Sequence, residues 1–578
     1  MVIISCEKEE KKVEKDQPPN VVIILADDMA WGDTSFNGNP NIETPNLDQM
    51  ALNGVVFENF YVSPVCSPTR AELLTGRYSF RSGVYGTGGG AERMNIDETT
   101  IAEVFKNTGY QTAAYGKWHN GMQYPYHPNA RGFDDFYGFC SGHWGHYFSP
   151  MLEHNGKVVQ GNGFIVDDFT NHGLEFIEKN KDKPFLLYLP YNTPHTPFQA
   201  PQENWDHFRN KEIIKQERDS SEKIQETRAA LAMVENIDEN VGRILEKLKA
   251  LNLEENTIVL FFSDNGPASY RWNGGLKEKK GSTEEGGVRS PLIMKWPSKI
   301  GAGGTINRLT STIDLLPTLA SLCDIDYEIN KPLDGINLSK SILDPSSSYE
   351  DRFILNTWQD QISIRTQKYR LSKDGKLYDI ENDRQQKNDL SAQLPAVKDS
   401  LQNIAVSFRK EKALTLPKVD DRPFVLGHPA MKFTQIPARD GKAHGNIQRS
   451  NKYPNCSFFT DWTSTNDSIS WQINVPEDGL FKVKLFYACE DGDEGSKVQL
   501  SFNESKLNFQ IKESHDVPLK GMETDLAPRK ESYVKDWKSV TVGDIKLKKG
   551  EGLMTLKAIQ IPNNSVMDFR LLLFERVP

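Results

Sequence analysis

Short unbroken apolar runs alternate along this chain with longer stretches of helical periodicity. Residues 21–25 form an apolar run rich in β-branched side chains. Such a run suits a strand covered on both faces, as in a parallel sheet. Residues 185–189 and 257–262 have the same character, and residues 112–115 are a weaker version. From about Arg228 to Leu251, the residues Leu231, Val234, Ile237, Val241, Ile244, Leu245 and Leu248 make one apolar stripe at helical spacing. Strands alternating with helices predict an α/β fold, with a mostly parallel sheet sandwiched by helices.

Each apolar run leads directly into polar residues. Asp27-Asp28 follow the first, Lys117-Trp118-His119 the second, Asn192-Thr193-Pro194-His195 the third and Asp264-Asn265-Gly266 the fourth. Open parallel sheets bind ligands outside the carboxyl ends of their strands. Four separate segments therefore point at one site.

The pattern then changes twice. Over residues 350–415, Arg365, Lys368-Tyr369-Arg370-Leu371 and Leu377-Tyr378-Asp379 alternate as strands do, with a helix expected around 392–410. This predicts a smaller antiparallel α+β subdomain. Beyond about residue 420, short alternating runs at 468–475, 480–488, 497–502 and 553–561 are separated by turns such as Pro476-Glu477-Asp478-Gly479. That spacing predicts a β-sandwich of about 150 residues. The expected division is a tether over 1–19, an α/β domain over 20–345, the subdomain over 346–415 and the β-sandwich over 420–578. Aromatic residues of this last domain (Phe458, Phe459, Trp462, Trp471, Tyr487, Trp537) either fill its core or line a carbohydrate-binding face; strand aromatics favour the core.

The 578 residues exceed what one core accommodates. The net charge of -10 gives no bulk attraction for nucleic acid or an anionic membrane, and an anionic substrate must be captured by a local cluster of cations. Six cysteines (Cys6, Cys66, Cys140, Cys323, Cys456, Cys489) are too sparse for a disulfide scaffold, although Cys456 and Cys489 are either a bridge or two buried thiols. No stretch reaches the ~18 apolar residues that span a bilayer. Val2-Ile3-Ile4-Ser5-Cys6, followed by a charged run from Glu7 to Asp16, resembles the end of a bacterial lipoprotein signal with Cys6 as the lipidated residue. Its apolar part is shorter than a full signal, and the alternative is a chance cysteine in a disordered tail.

The run Cys66-Ser67-Pro68-Thr69-Arg70, continued by Ala71-Glu72-Leu73-Leu74-Thr75-Gly76-Arg77, resembles the signature of the type I, formylglycine-dependent sulfatases of the alkaline phosphatase superfamily. At ordinary residue usage, its six fixed positions recur by chance in about one chain in 10^5. The resemblance covers roughly residues 20–390. It includes Gly116-Lys117-Trp118-His119, Thr193-Pro194-His195, Ser263-Asp264-Asn265-Gly266, Glu285-Gly286-Gly287-Val288-Arg289, Leu377-Tyr378-Asp379 and Asn388-Asp389-Leu390 in family order. Asn120 stands where the family usually has Leu. Extra Lys and Glu residues over 276–285 leave Lys279 and Lys280 as candidates for one position, and counting back from Glu285 favours Lys280.

The resemblance implies an alkaline-phosphatase-like fold and a site built around a modified Cys66. Oxidation of that thiol to formylglycine (3-oxoalanine) gives an aldehyde hydrate, one hydroxyl of which attacks sulfur while the second lets sulfate leave. Asp27, Asp28, Asp264 and Asn265 offer hard oxygen donors, which suit calcium or magnesium and not zinc. The family implies calcium, ligated also by residue 66. Arg70, Lys117 and Lys280 are the fixed cations, His119 the base that collapses the hydrate, and His195 with Lys280 the groups at the leaving alcohol. His143 and His146, in a loop rich in aromatic residues, either contact the sugar or belong to a packed loop, and Arg271 and Trp272 are expected at the substrate.

A lipoprotein signal, such a domain and an appended β-sandwich resemble bacterial polysaccharide sulfatases. They imply a sulfated carbohydrate substrate such as ulvan, carrageenan or a glycosaminoglycan, a formylglycine-generating or sulfatase-maturating enzyme as partner, and a periplasmic or outer-membrane location with the membrane met only through the lipid. A formylglycine-dependent phosphodiester or phosphonate hydrolase and a non-catalytic glycan-binding surface lipoprotein are the competing readings.

Overall fold

The computed structural model describes residues 17–215, 221–344, 346–417 and 419–578. Cys6 and the charged run after it lie outside the described residues.

A ten-stranded mixed sheet forms the first layer. Its centre is five parallel strands in the order Thr257–Ser263, Asn20–Asp27, Phe185–Pro194, Gln111–Lys117 and Asp135–Phe139. Four of these are the apolar runs read from the sequence. The strand Asn20–Asp27 is buried along its whole length because both its edges and both its faces are covered. Val22 pairs with Leu187 on one side and Val259 on the other. Its side chains alternate between two cores, as strand geometry requires. Val21, Ile23 and Leu25 enter a core with Leu73, Phe105 and Leu319, whereas Val22, Ile24 and Ala26 enter one with Phe169, Val234 and Ile244. The helices Cys66–Thr75, Ile101–Asn107 and Leu315–Leu322 thus cover one face, and Ile165–Lys179 with Ile224–Ala250 the other. Each fully buried aliphatic side chain here contributes roughly 1.5–3 kcal/mol. Antiparallel members close the sheet: Leu292–Lys295 beside Thr257–Ser263, and the hairpin Met151–His154 and Lys157–Gln160 beyond Asp135–Phe139.

The subdomain is a four-stranded antiparallel sheet (Phe353–Trp358, Gln361–Thr366, Tyr369–Leu371, Leu377–Asp379) backed by the helix Pro395–Thr415. The C-terminal antiparallel sheets form an extra domain around a shared core. Phe459, Trp462, Trp471 and Tyr487 are in that core, and the Trp471 indole N–H donates to the Pro437 carbonyl at 3.0 Å. Trp537 is different: it packs only partly buried against Phe486, Leu571 and Leu573. Cys456 and Cys489 are both buried free thiols.

The helix Cys66–Thr75 is buried at every residue. Its Glu72 carboxylate accepts hydrogen bonds from Ser63 Oγ at 2.9 Å, the Ser79 N–H at 3.2 Å and Thr312 Oγ1 at 3.3 Å. Burial nonetheless pushes its pKa from 4.5 up to about 7. The folded state holds this proton more tightly than the unfolded chain, so the stabilisation is complete below pH 4.5 and is lost as pH rises through 7. The loss amounts to about 3 kcal/mol. Glu72→Gln, whose amide suits the same three partners without ionising, is expected to remove that fall. Denaturant titrations from about pH 4 to about pH 8 check this, and parallel stability curves for the two proteins would contradict it.

Candidate active site

The carboxyl ends of four adjacent parallel strands bring the expected residues to one edge of the sheet. Asp27 ends its strand and is fully buried; Lys117 ends another and its Nζ donates to Asp27 Oδ2 at 2.6 Å. Asp28 follows with φ of 66°, a left-handed conformation uncommon outside glycine that turns the chain sharply out of the sheet. Its carboxylate Oδ1 accepts from Lys280 Nζ at 2.5 Å and Asn265 Nδ2 at 2.7 Å, and its N–H donates to Asp264 Oδ1 at 3.2 Å. Arg70 donates Nε and Nη2 to Asp264 Oδ2 at 3.1 and 2.8 Å, and Nη1 to the Lys117 carbonyl at 2.6 Å. Cys66 is the first residue of its helix, which carries no side-chain N-cap bond, so it sits at the positive end of the helix dipole.

Burial favours the neutral form of these groups; it prevails at Asp264, whose pKa burial and the Asp27 charge push well up, whereas mutual attraction reverses it at Asp27, Asp28 and Lys280. Lys117 holds the Asp27 carboxyl below its ordinary range, and Lys280 with His195 does so for Asp28. In return, Asp28 foremost keeps Lys280 charged. At His119 too burial prevails: assisted by Lys117, it pushes the pKa well down, so the ring is neutral. Its Nε2–H donates to the Thr87 carbonyl at 3.1 Å, which leaves the Nδ1 lone pair buried with no hydrogen-bond partner. A second left-handed residue, His119 itself at φ 66°, sets this orientation. Gly142 leaves room for the ring, since a Cβ there would meet His119 Nε2 at 2.5 Å.

Three buried oxygens in this cluster also lack a hydrogen-bond partner: Asp27 Oδ1, Asp28 Oδ2 and Asn265 Oδ1. Leaving so many buried acceptors unmade is costly. Asp27, Cys66 and Asp264 bring ligand atoms within 4.8 Å of one another, as do Asp27, Asp28 and His195. Orphaned hard oxygens on the residues expected as metal ligands fit a divalent cation of the calcium or magnesium type. A third group within that distance, His127, Cys140 and Glu153, does not fit one. The Asn129 N–H donates to His127 Nδ1 at 3.2 Å, so Nε2 carries the proton and faces Glu153 at 3.6 Å. Neither ring nitrogen then offers a lone pair to a metal, although Nε2 itself lacks a hydrogen-bond partner, and the Cys140 thiol donates to Glu153 at 2.9 Å.

His195 lies at the rim, its Nε2 3.8 Å from Asp28 Oδ2 and its Nδ1–H donating to the Thr196 carbonyl at 2.7 Å. His143 stacks on it at 5.9 Å between ring centroids. His146, expected beside His143, is instead on the far side of the same loop, next to Lys520 and Gly521 of the C-terminal domain. Arg271, expected at the substrate, is buried and engaged by Asp33 at 2.6 Å and the Asp28 carbonyl at 2.9 Å. It positions Asp28, and its Nη1 donates to Ser269 Oγ at 3.4 Å. Trp272 lies half-buried against Gly32. Lys279 turns away to the Ala268 carbonyl, and Lys280 is the lysine on Asp28.

Three groups at the site carry no local sequence signal. The Thr87 carbonyl fixes His119, and Thr69 Oγ1 donates to the Asp264 carbonyl at 2.6 Å. Asn455, from the C-terminal domain, holds the Gly142 N–H at 3.1 Å and donates to His143 Nδ1 at 3.3 Å.

A family model described as Sulfatase matches residues 19–325, more than half of the chain. N-acetylgalactosamine-6-sulfatase of Mus musculus is 34% identical over 365 residues, a match that covers 57% of this chain and 66% of that one. Arylsulfatase A of Homo sapiens is 33% identical over 400 residues, covering 61% and 74%. Among solved structures, Ps i-CgsB in complex with k-i-k-neocarrahexaose superposes with a TM-score of 0.62 at 34% identity, over 68% of this chain and 93% of that one. The family match spans the strands that carry Asp27, Lys117, His195 and Asp264, and with them the helix that begins at Cys66: the chain belongs to the sulfatase family.

Proposed function

We propose that this protein hydrolyses sulfate esters of a sulfated carbohydrate, with Cys66 acting as formylglycine. The observation that carries this reading is the meeting of three orphaned buried oxygens, on Asp27, Asp28 and Asn265, with Cys66 and three fixed cations. Asp27, Asp28, Asp264, Asn265 and residue 66 would hold calcium, which would supply positive charge to the reaction. Formylglycine, as its hydrate, supplies one hydroxyl for attack on sulfur and a second whose deprotonation releases sulfate.

The chain's own residues account for the rest. Arg70 is locked by Asp264 and the Lys117 carbonyl, so its guanidinium does not reorganise as charge develops beside residue 66. Lys117 and Lys280 flank the carboxylates and present charge to the peripheral sulfate oxygens. His119, neutral and with Nδ1 unpartnered, takes the proton from the second hydroxyl. His195, with Nδ1–H on the Thr196 carbonyl, turns Nε2 to the site and serves the leaving alcohol with Lys280.

That last role makes a specific prediction. His195→Ala is expected to lower kcat on a sugar sulfate by about 10^2- to 10^4-fold. An aryl sulfate, whose leaving group needs little protonation, is expected to lose far less. Equal losses on both substrates would remove His195 from the leaving-group side.

The carbohydrate substrate is supported by relatives named for acting on N-acetylgalactosamine 6-sulfate and bound to a carrageenan oligosaccharide. The test is sulfate release from an aryl sulfate and a panel of defined sulfated oligosaccharides, using protein whose conversion at residue 66 is confirmed by mass. Absence of sulfate release from converted protein would overturn the proposal, and faster hydrolysis of an aryl phosphate diester would replace it with phosphoryl chemistry.

A further inference from the structure

Between the loop 140–148 and the C-terminal sheets lies a cleft of about 850 Å³, and none of the reacting-site residues lines it. Six cations face it: Lys157, Lys432, Lys484, Lys520, Lys535 and Arg570. Only two carboxylates, Asp536 and Glu575, do so. Three of the lysines have acidic partners, with Lys432 3.1 Å from Glu575, Lys520 2.9 Å from Asp536 and Lys535 2.8 Å from Asp568. Among the described residues, Lys157, Lys484 and Arg570 have no carboxylate within 4.0 Å. Arg570 is 3% exposed; its Nη1 donates to the Ser457 carbonyl at 2.8 Å, while Nε has no partner. A buried guanidinium without a counter-ion is costly unless an anion completes it. In a chain of net charge -10, this is a local reversal of sign that attracts anions the rest of the surface repels.

Aromatic side chains share the rest of the lining with polar His146, Gln160 and His515. The Trp144 ring stacks on Phe139 at 5.0 Å and lies under the Arg570 guanidinium at 5.5 Å. Trp537, Phe433 and Phe486 also line it and belong to one apolar cluster. Broad apolar surfaces with a few convergent charges are what a ligand with both ring faces and anionic groups requires. A sugar ring offers the face, and sulfate substituents offer the charge.

We propose that this cleft is a second binding site, for a sulfated oligosaccharide, separate from the reacting centre. The choice of sulfate over another anion rests on the function proposed above. The loop 140–148 serves both sites: His143 stacks on His195, whereas Trp144 and His146 face the cleft. The cleft also needs both domains, since Trp144 and Lys157 come from the first and Lys484, Trp537 and Arg570 from the second. It gives the C-terminal domain a role in binding although most of its aromatics are core.

The test uses full-length protein carrying Cys66→Ala, titrated calorimetrically with a carrageenan hexasaccharide and with the same hexasaccharide after desulfation. The paired change Lys157→Gln with Lys484→Gln is expected to weaken binding of the sulfated probe by about tenfold or more, as for lost charge-assisted contacts. Trp537→Ala, which leaves the charges in place, is expected to weaken it as well. Neither change touches the reacting centre, so in converted protein with Cys66 intact both are expected to hydrolyse an aryl sulfate at the parent rate. Unchanged affinity in both variants, or equal affinity for the desulfated probe, would overturn the second site. Should converted parent protein release no sulfate from the aryl sulfate or from the oligosaccharide panel while these affinity losses appear, the proposed function falls and the cleft stands.

Discussion

Cys66→Ala is expected to reduce kcat on any sulfate ester by on the order of 10^6-fold, the scale seen when a covalent nucleophile is deleted. The folded structure is expected to survive. Cys66 is 3% exposed and its loss removes one sulfur atom from the start of a helix whose other nine residues stay packed. The neighbouring charges are held by one another: Arg70 by Asp264, Lys117 by Asp27 and Lys280 by Asp28. The variant therefore keeps a cationic pocket without a group to attack sulfur. Parent protein in which residue 66 is still a thiol is expected to be as inactive as the variant. Mass spectrometry identifies that fraction, because conversion exchanges one sulfur and two hydrogens for one oxygen. Substantial turnover by unconverted protein would refute covalent catalysis at residue 66.

The second large effect concerns stability and lies away from the reacting centre. Glu285 accepts from Arg370 Nε at 2.7 Å, Arg289 Nη1 at 2.9 Å and Tyr61 Oη at 3.0 Å, with Arg365 Nε at 3.8 Å. Every one of these side chains is buried. Burial pushes the Glu285 carboxyl up, but Arg370, Arg289 and Arg365 outweigh it and hold the pKa at about 2. Glu285→Gln leaves three buried guanidinium groups without their shared counter-charge, and breaking a buried pair in this way costs about 3–5 kcal/mol. Because the folded pKa is depressed, the carboxylate's contribution is complete above pH 4.5 and is lost as pH falls through 2. The gap between parent and variant is thus expected to be widest at neutral pH and to shrink on acidification. Arg365 and Arg370 sit on subdomain strands, whereas Tyr61 and Arg289 belong to the larger domain. Loss of Glu285 therefore loosens the subdomain first, and limited proteolysis is expected to cut there before the main sheet. A stability change near zero at neutral pH would show that the three arginines are compensated by other means.

The buried parallel strands were legible because covering both faces leaves no polar positions to blur the pattern. Residues 21–25 and 257–262 are unmistakable for that reason, and their shared polar outlets follow from parallel topology. The edge hairpin Met151–His154 and Lys157–Gln160 was missed; it is short, half-exposed and carries His, Glu, Lys and Gln among its eight residues. For the candidate site, spacing identified which strand ends carry Asp27, Lys117, His195 and Asp264. It did not reveal where loop side chains turn. His143 and His146 are three residues apart, yet one stacks on His195 and the other lines the cleft, because the irregular loop between them passes Gly145 with no periodicity to read. The bond of Arg271 to Asp33 carried no signal either, because the two residues are 238 apart in sequence. Asn455 was invisible for the same reason: only the folded chain brings the C-terminal domain to Gly142.

The burial of the helix Cys66–Thr75 along its entire length has a consequence in time as well as in space. An enzyme that rewrites the side chain of residue 66 must grip the segment around it, and in the finished fold that segment has no surface to offer. On the chemistry proposed here, conversion is confined to the interval between synthesis of the chain and closure of its sheet. Folding then acts as a deadline, after which a molecule that kept its thiol is sealed as a well-folded but silent copy.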